Sequence, residues 1–457
     1  MAALVMNEDI QLITSQFEAL KTFEGKSMPK PNFLGISEHV FSYGNAYVSR
    51  QSNTSNGSND GASSRESSFL RRLQGWTSQA TLPKRSIDVH ALVSKEMLQY
   101  NLEERNAVYE EIHGVRSLCP DESAPGMLDN ALEQLAEELF KLPQKQKRAY
   151  AQSQQYNDTY VNEPDFRLRF LRAELFDAKK AALRMARFLE VCVEFFGVDK
   201  LRSPIRLTDF SRKEMKVFNM GRIQLLPYRD RSGRRIVVGI PSHDHVRQEA
   251  RIRGKIHFYL WLVASESVES QRRGIVFVTI QNPSLSDSTT TGSTSSNHGE
   301  NFSDLQEQSR LPSIEFLKLS MVHRQALPIR MSAYHLCTPD TPFYGVLQSL
   351  ITAVMTGERC RVKVHVGHDV ENRYQLNGYG IPLDQLPITE SGKIKTTYFK
   401  KWIQFRKNLE DPKSDFCQSK LSIVECPGVA DVVFRPSQST MCHPGNVTFR
   451  SLVESEH

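Results

Sequence analysis

The sequence predicts an α/β fold: a helical N-terminal unit, then a mostly parallel sheet flanked by helices over an apolar pocket, with disordered linkers. Three stretches carry that prediction. Leu327–Gly367 reads as strand, short link, uncharged helix and strand. Gly274–Ile280 (GIVFVTI) is wholly apolar and short, as a strand buried on both faces must be. Upstream, from about Ile87 to Gly197, the periodicity is helical.

The N-terminal region 1–85 holds one short amphipathic pattern, with Ile10, Ile13, Phe17 and Leu20 on one side after a capping Asp9. A Ser/Asn/Gly-rich linker (Ser49–Ser68) follows, which is too polar to bury a core. In the helical unit, 86–215, Val93–Glu111 and Met127–Phe140 are amphipathic, and Lys141–Arg148 is a basic connector. The run from Pro164 breaks near Phe176. Asp177 then caps a second helix carrying Ala181, Leu183, Met185, Ala186, Leu189, Val193 and Phe196, which stops at Gly197.

From Phe218 the pattern becomes mixed. Ile223–Leu226 and Ile236–Ile240 read as strands around the polar turn Tyr228–Arg234. Val246–Ala264 reads as a helix, 283–311 as a disordered Ser/Thr/Asn-rich insertion, and Ile314–Ala326 as a helix. Pro328–Cys337 is extended, and Pro342 pre-sets the first turn of the helix that follows. That helix places Phe343, Val346, Leu347, Leu350, Ile351 and Val354 on one broad face, and no charge occurs between Thr341 and Thr356. Arg361–Val366 alternates, with Val362, Val364 and Val366 on one side. A helix at Asp369–Leu376, a polar hairpin and a basic helix at Lys395–Asn408 with Trp402 and Phe405 complete this domain (216–408), and 409–457 is an irregular tail.

Composition narrows the class. Of 457 residues, 39% are hydrophobic and 24% charged, which suits a soluble chain with unstructured portions, and 457 is too long for one ordinary core. A net charge of +6 permits contact with anionic surfaces without demanding it. Seven scattered cysteines without CxxC spacing argue for a reducing compartment. The first residues lack a basic, long-apolar signal pattern, and Ile256–Ala264 is far shorter than the roughly 20 residues a membrane-spanning helix needs. A cytoplasmic protein that touches membranes peripherally is expected.

The run Arg169-Phe170-Leu171-Arg172-Ala173, then Phe176-Asp177 and Lys180-Ala181, resembles the helical unit that precedes a CRAL-TRIO lipid-binding domain. Gly233-Arg234 resembles that domain's entry. Leu327-Pro328-Ile329-Arg330, Pro339 and Pro342-Phe343 resemble its central strand and mobile gate helix, and Gly380-Ile381 with Leu386-Pro387 resemble its close. The resemblance spans roughly Leu92 to Asn408 and implies binding and intermembrane transfer of a hydrophobic lipid (phospholipid, sterol or isoprenoid) by a monomer. The chain departs from the family at Gln281-Asn282-Pro283, where an Asp and a Gly are usual. The lysine that meets the head group in phosphatidylinositol-binding members falls near Thr352. The final segment, with Asp431–Phe434, His443–Asn446, Phe449-Arg450 and Leu452-Val453, resembles the start of an uncharacterised algal module without its later helices.

A lipid carrier needs an apolar cavity and a wall that can move without dragging a charge into lipid. The expected lining and gate residues are Tyr334, Phe343, Leu347, Leu350, Ile351, Val354, Val364 and Val366. Arg247, Arg251 and Lys255, with Arg253, recur before Ile256 and could meet lipid head groups or simply form a solvated face. Lys400, Lys401, Arg406 and Lys407 pose the same choice. His243-Asp244-His245 with Glu249, and His365 with His368-Asp369, could in principle ligate zinc. No GxSxG, HExxH, P-loop or GxGxxG occurs, so no catalytic residue, metal or cofactor is expected. The alternative reading is a ligand-free scaffold whose basic surfaces and tails bind a protein or nucleic acid, although nucleic acid is not the expected partner.

Overall fold

The computed structural model describes residues 89–241, 249–281, 314–389 and 392–411. The short N-terminal helix, the Ser/Asn-rich linker, the insertion 283–311, the C-terminal segment from 412, and His243, Asp244, His245 and Arg247 lie outside the described residues. The helical part comprises α1 (Val89–Met97), α2 (Leu102–Ile112), α3 (Met127–Lys141), α4 (Arg148–Ser153), α5 (Pro164–Ala173), α6 (Ala178–Phe196) and α7 (Arg212–Asn219). A hairpin follows, β1 (Ile223–Arg229) and β2 (Arg235–Gly239), then α8 (Ala250–Ala264), α9 (Val268–Arg273) and β3 (Ile275–Ile280). The chain continues through α10 (Ile314–Arg324), β4 (Met331–Thr338), α11 (Pro342–Val354), β5 (Val362–Val366), α12 (Asp369–Gly378) and α13 (Thr397–Glu410).

Local chemistry explains the boundaries. The continuous helix expected over Val93–Glu111 is two helices. Asn101 accepts the Glu104 N–H at 2.9 Å and the Glu104 carboxylate accepts the Asn101 N–H at 2.8 Å, so this capping box starts a new helix where periodicity alone runs on. The break before α6 falls where expected. Leu175 and Phe176 sit at φ of 52° and 66°, and Asp177 caps α6 by accepting the Lys180 N–H at 3.0 Å. Gly197, at φ 94°, ends it. The β1–β2 turn closes on the Asp230 carboxylate, which accepts N–H bonds from Ser232 and Arg234 and pairs with the Arg234 guanidinium at 2.6 Å.

The sheet order is β1-β2-β3-β4-β5. β1 pairs antiparallel with β2 and every later pair is parallel. Each parallel step moves one strand further in the same direction, so right-handed crossovers place α8, α10 and α11 on one face. That face presents Val237, Ile275, Met331, Tyr334 and Leu336. The other presents Ile236, Val238, Ile240, Val276, Val278, Ala333 and Cys337, covered by α2, α12 and the segment Ile381–Ile388. One continuous core runs from α3, α5 and α6 into the first face, with the Phe188 ring stacked 5.2 Å from Phe258. The Arg184 guanidinium joins the helices to the entry of β4, pairing with Glu174 and donating to the Leu327 carbonyl at 2.9 Å.

The end of α2 fixes the sheet. Glu111, 1% exposed, accepts from Arg330 and from Arg361, each at 2.5 Å, and the Arg234 guanidinium donates to the Glu111 and Ile112 carbonyls at 2.5 and 3.2 Å. Burial pushes the Glu111 carboxyl up, but Arg361 and Arg330 outweigh it and hold it below the usual carboxylate value. Removing this carboxylate strands two buried guanidinium groups. Glu111→Ala should therefore cost about 3–5 kcal/mol, read as a lower denaturant midpoint at unchanged slope, whereas Glu104→Ala at the exposed cap should cost about 1 kcal/mol or less.

Candidate functional site

A strand order that never reverses has no switch-point crevice of the kind doubly wound sheets use for ligands. On the face covered by α8, α10 and α11, Phe277 occupies the middle of the central strand and is half-buried, as are Val362 and Val364 on β5 and Ile351 on α11. Aromatic rings surround Phe277, and a small cavity lies instead on the other face of the sheet, lined by Ile280, Cys337, Asn372, Leu376, Leu386 and Ile388. Phe277 lies 5.1 Å from the Tyr334 ring and 5.7 Å from Trp261, centroid to centroid, and Gly239 beside it contributes no side chain.

Few polar groups reach this region. The Thr279 and Tyr334 hydroxyls bond each other at 3.1 Å, and burial raises the Tyr334 phenol to about 12. His257 on α8 faces the rings of Phe277 and Phe316 at 6.2 and 5.6 Å. Burial, with smaller contributions from Arg253 and His323, lowers it to about 3, so it is neutral at physiological pH.

The two ends of the uncharged helix α11 are held differently. At the C-terminal end, Arg324 donates to the Val354 and Thr356 carbonyls and pairs with Glu358 at 2.7 Å, while Arg359 donates to the Ala353 carbonyl at 2.9 Å. These cations sit where the helix dipole favours them. Buried Glu96 on α1 accepts the Gly357 N–H at 3.0 Å and lies 3.7 Å from Arg359. Burial raises its carboxyl, opposed by Arg359 and by backbone N–H donors. At the N-terminal end the Thr341 side chain makes no capping bond. Phe343, Tyr344 and Leu347 there form a small cluster of their own, with Ile351 packed against it. The Gln348 amide donates to the Thr338 hydroxyl at 2.7 Å.

The expected lining residues divide accordingly. Tyr334, Phe343, Leu347, Leu350 and Val354 are buried, and Ile351 and Val364 are half-buried and packed against the core. Val366 is 40% exposed, because it ends β5, the edge strand of the sheet, and it stands outside the lining. Of the expected head-group cations, Arg251 and Lys255 fall among the described residues and both have carboxylate partners. Lys255 is 6% exposed, bonded to Glu214 at 2.7 Å and packed between the Phe196 and Phe210 rings, while Arg251 pairs with Glu194. Arg406 is likewise internal, joined to Glu266 and Glu410.

Of the possible metal ligands, Glu249 pairs with Lys213 and His368 begins α12. His365 bonds His335 at 2.9 Å and Gln375 at 2.7 Å on the opposite face of the sheet. Among the described residues no three His, Cys, Asp or Glu side chains are grouped to hold a metal. The four described cysteines, Cys119, Cys192, Cys337 and Cys360, are free thiols, and no described helix is long and apolar enough to cross a membrane.

Phe277, Trp261, Thr279 and His257 escaped the sequence reading because they sit inside apolar runs, where periodicity does not tell one face from the other. Neither a scan against protein-family models nor a search of curated proteins returns a match to this chain.

The buried histidines make stability depend on pH. His257 is lowered to about 3 and His323 to about 4, in each case chiefly by burial, and His335 lies well below the ordinary value. The unfolded chain binds protons on these rings near pH 6.5 and the folded chain does not, so stability is full above that pH and falls below it. The expected loss is about 1.4 kcal/mol per histidine per pH unit until the folded value is reached. Denaturant titrations at pH 7, 6 and 5 should show a steep decline that His257→Gln makes shallower. An equally steep decline in that variant would remove His257 from the explanation.

Proposed function

We propose that this protein binds a hydrophobic lipid between the sheet and α11 and passes it between membranes when α11 swings aside. One observation carries the reading: α11 is uncharged, held at its C-terminal end by two arginines, and packed at its N-terminal half in a cluster of its own. A wall of that kind can exchange lipid for bilayer at little cost, because no ion has to be desolvated. Each buried CH2 of an acyl or isoprenoid chain contributes about 0.8 kcal/mol, so an apolar slot alone confers useful affinity. The CRAL-TRIO resemblance of Arg169–Ala173, Leu327–Arg330 and Pro342-Phe343 supports the same reading.

The polar inventory bears on the ligand. Helix α11 contains no cation, Thr352 is 5% exposed, and the nearby Arg324 and Arg359 are engaged with the helix's own carbonyls. That argues against a phosphoinositide and for a lipid with an uncharged polar group. The competing possibility is a ligand-free scaffold with a filled core, and Val364→Trp separates the two. Beside a lipid-sized gap, the indole should be accommodated with little change in melting temperature while lipid recovered by extraction and mass spectrometry drops at least about tenfold. In a filled core the same change should cost about 1–3 kcal/mol. That loss of stability, together with no lipid in the wild-type extract, would end the carrier reading.

A further inference from the structure

The second face of the sheet holds a buried histidine pair that the lipid reading leaves unused. His335 on β4 is 0% exposed and His365 on β5 is 3% exposed. Their rings stack at 5.2 Å, with His335 Nδ1 and His365 Nε2 2.9 Å apart. His365 Nδ1 lies 2.7 Å from Gln375 Oε1 on α12, an oxygen that can only accept. The proton of His365 therefore sits on Nδ1, its Nε2 accepts, and His335 donates through its own Nδ1. This order of donors leaves His335 Nε2 a bare lone pair, buried and without a partner among the described residues.

The surroundings make a further proton costly. Among the described residues, the charged groups acting on the pair are His113 at the end of α2, Arg234 just before β2 and Lys363 on β5, all of them bases. The Tyr379 ring beyond α12 lies 4.5 and 5.5 Å from the two imidazoles and stacks on His113. Carboxylates on the neighbouring elements are engaged elsewhere. Asp230 pairs with Arg234, and Glu111 with Arg330 and Arg361. Asp369 and Glu371 lie in the first turn of α12, where Glu371 accepts the His368 N–H. A proton taken up by the pair keeps the N–H···N bond, because one ring can still accept, but it charges the core with bases on every side. Burial, with these cations, accordingly holds both rings below the ordinary histidine value.

Two elements meet the sheet here. β5 is the edge strand, paired to β4, and α12 reaches it through Gln375 on His365, Asn372 on the Gly367 carbonyl and buried Leu376. An edge strand and a short helix open at less cost than the inner strands. We infer that the His335–His365–Gln375 chain is a proton-sensitive latch, a single proton on the pair releasing α12 and β5 while the inner strands stay closed. The unfolded rings bind protons near pH 6.5 and the latched rings do not, so the latch is closed above that pH and weakens below it. It lies on the face away from α11 and does not depend on the carrier reading.

The test uses the full-length protein between pH 7.5 and pH 5. At the upper pH, ring-nitrogen spectra of protein with isotope-labelled histidine should show His335 and His365 both protonated on Nδ1. Hydrogen exchange, corrected for its intrinsic pH dependence, should report an opening of residues 362–378 that grows about tenfold per pH unit below pH 6.5, as one proton requires. The strands β2 and β3 should stay protected. Cys337, buried beneath α12, should become reactive to dipyridyl disulfide over the same range. Gln375 is exposed, so its replacement leaves the core intact. Gln375→Glu sets a carboxylate against His365 and should cut the opening at pH 5 by at least about tenfold. Gln375→Leu, which supplies no charge, should keep the steep dependence. Equal opening in these two variants would overturn the proposal, as would a uniform loss of protection across the sheet or a His335 ring protonated on Nε2 at pH 7.5.

Discussion

A single carboxylate at the end of one helix sets the sheet. Arg234, Arg330 and Arg361 each stand immediately before a strand, and all three guanidinium groups meet the last turn of α2, two on the Glu111 carboxylate and one on main-chain carbonyls. Because that site is buried, the charges are weakly screened and none can be left alone without a large penalty. The entrances of β2, β4 and β5 are thereby held together. The register of a parallel sheet, which has no tight turns of its own to define it, is pinned from one end.

The consequence is an asymmetric molecule. The strand entrances and the α2 side are tied by ion pairs, and the second face is closed by α12 and the segment Ile381–Ile388. On the first face α11 runs from the exit of β4 back to the entrance of β5, and Arg324 and Arg359, each paired with a carboxylate, hold its C-terminal end. Since all the parallel steps run in one direction, every crossover helix lies over that same face. Phe277, Tyr334 and Val364 belong to the core on that face.

Much of the architecture was legible because it follows from local rules. The capping Asp177, the terminating Gly197, the Pro342 that opens α11 and the turn centred on Asp230 all act through atoms within a few residues of themselves, and each element lies where those residues predict. The Val93–Glu111 stretch was read too long for a complementary reason: the capping box at Asn101 outweighs a periodicity that continues across it. Of the candidate site, the apolar stripe of α11 was legible: Ile351 packs against the core, whereas Val366 is exposed at the end of β5, an edge that only the sheet order reveals. The basic residues were the least readable. Lys255 and Arg406 look like solvated charges in the sequence, but they are internal, their carboxylate partners Glu214, Glu266 and Glu410 supplied from distant parts of the chain.

By itself, the sequence determined the α/β class, most helix limits, the five strands and the absence of charge on α11, since each depends on hydrophobic period, capping chemistry or composition over short spans. Tertiary structure alone decided which face of GIVFVTI carries Phe277 toward α8, which arginines meet Glu111, and that two others, Arg324 and Arg359, hold one end of α11. Those features arise from side chains brought together across many tens to more than two hundred residues, as with Glu111 and Arg361, where loop closure and mutual burial set the partners and local spacing carries no trace of them.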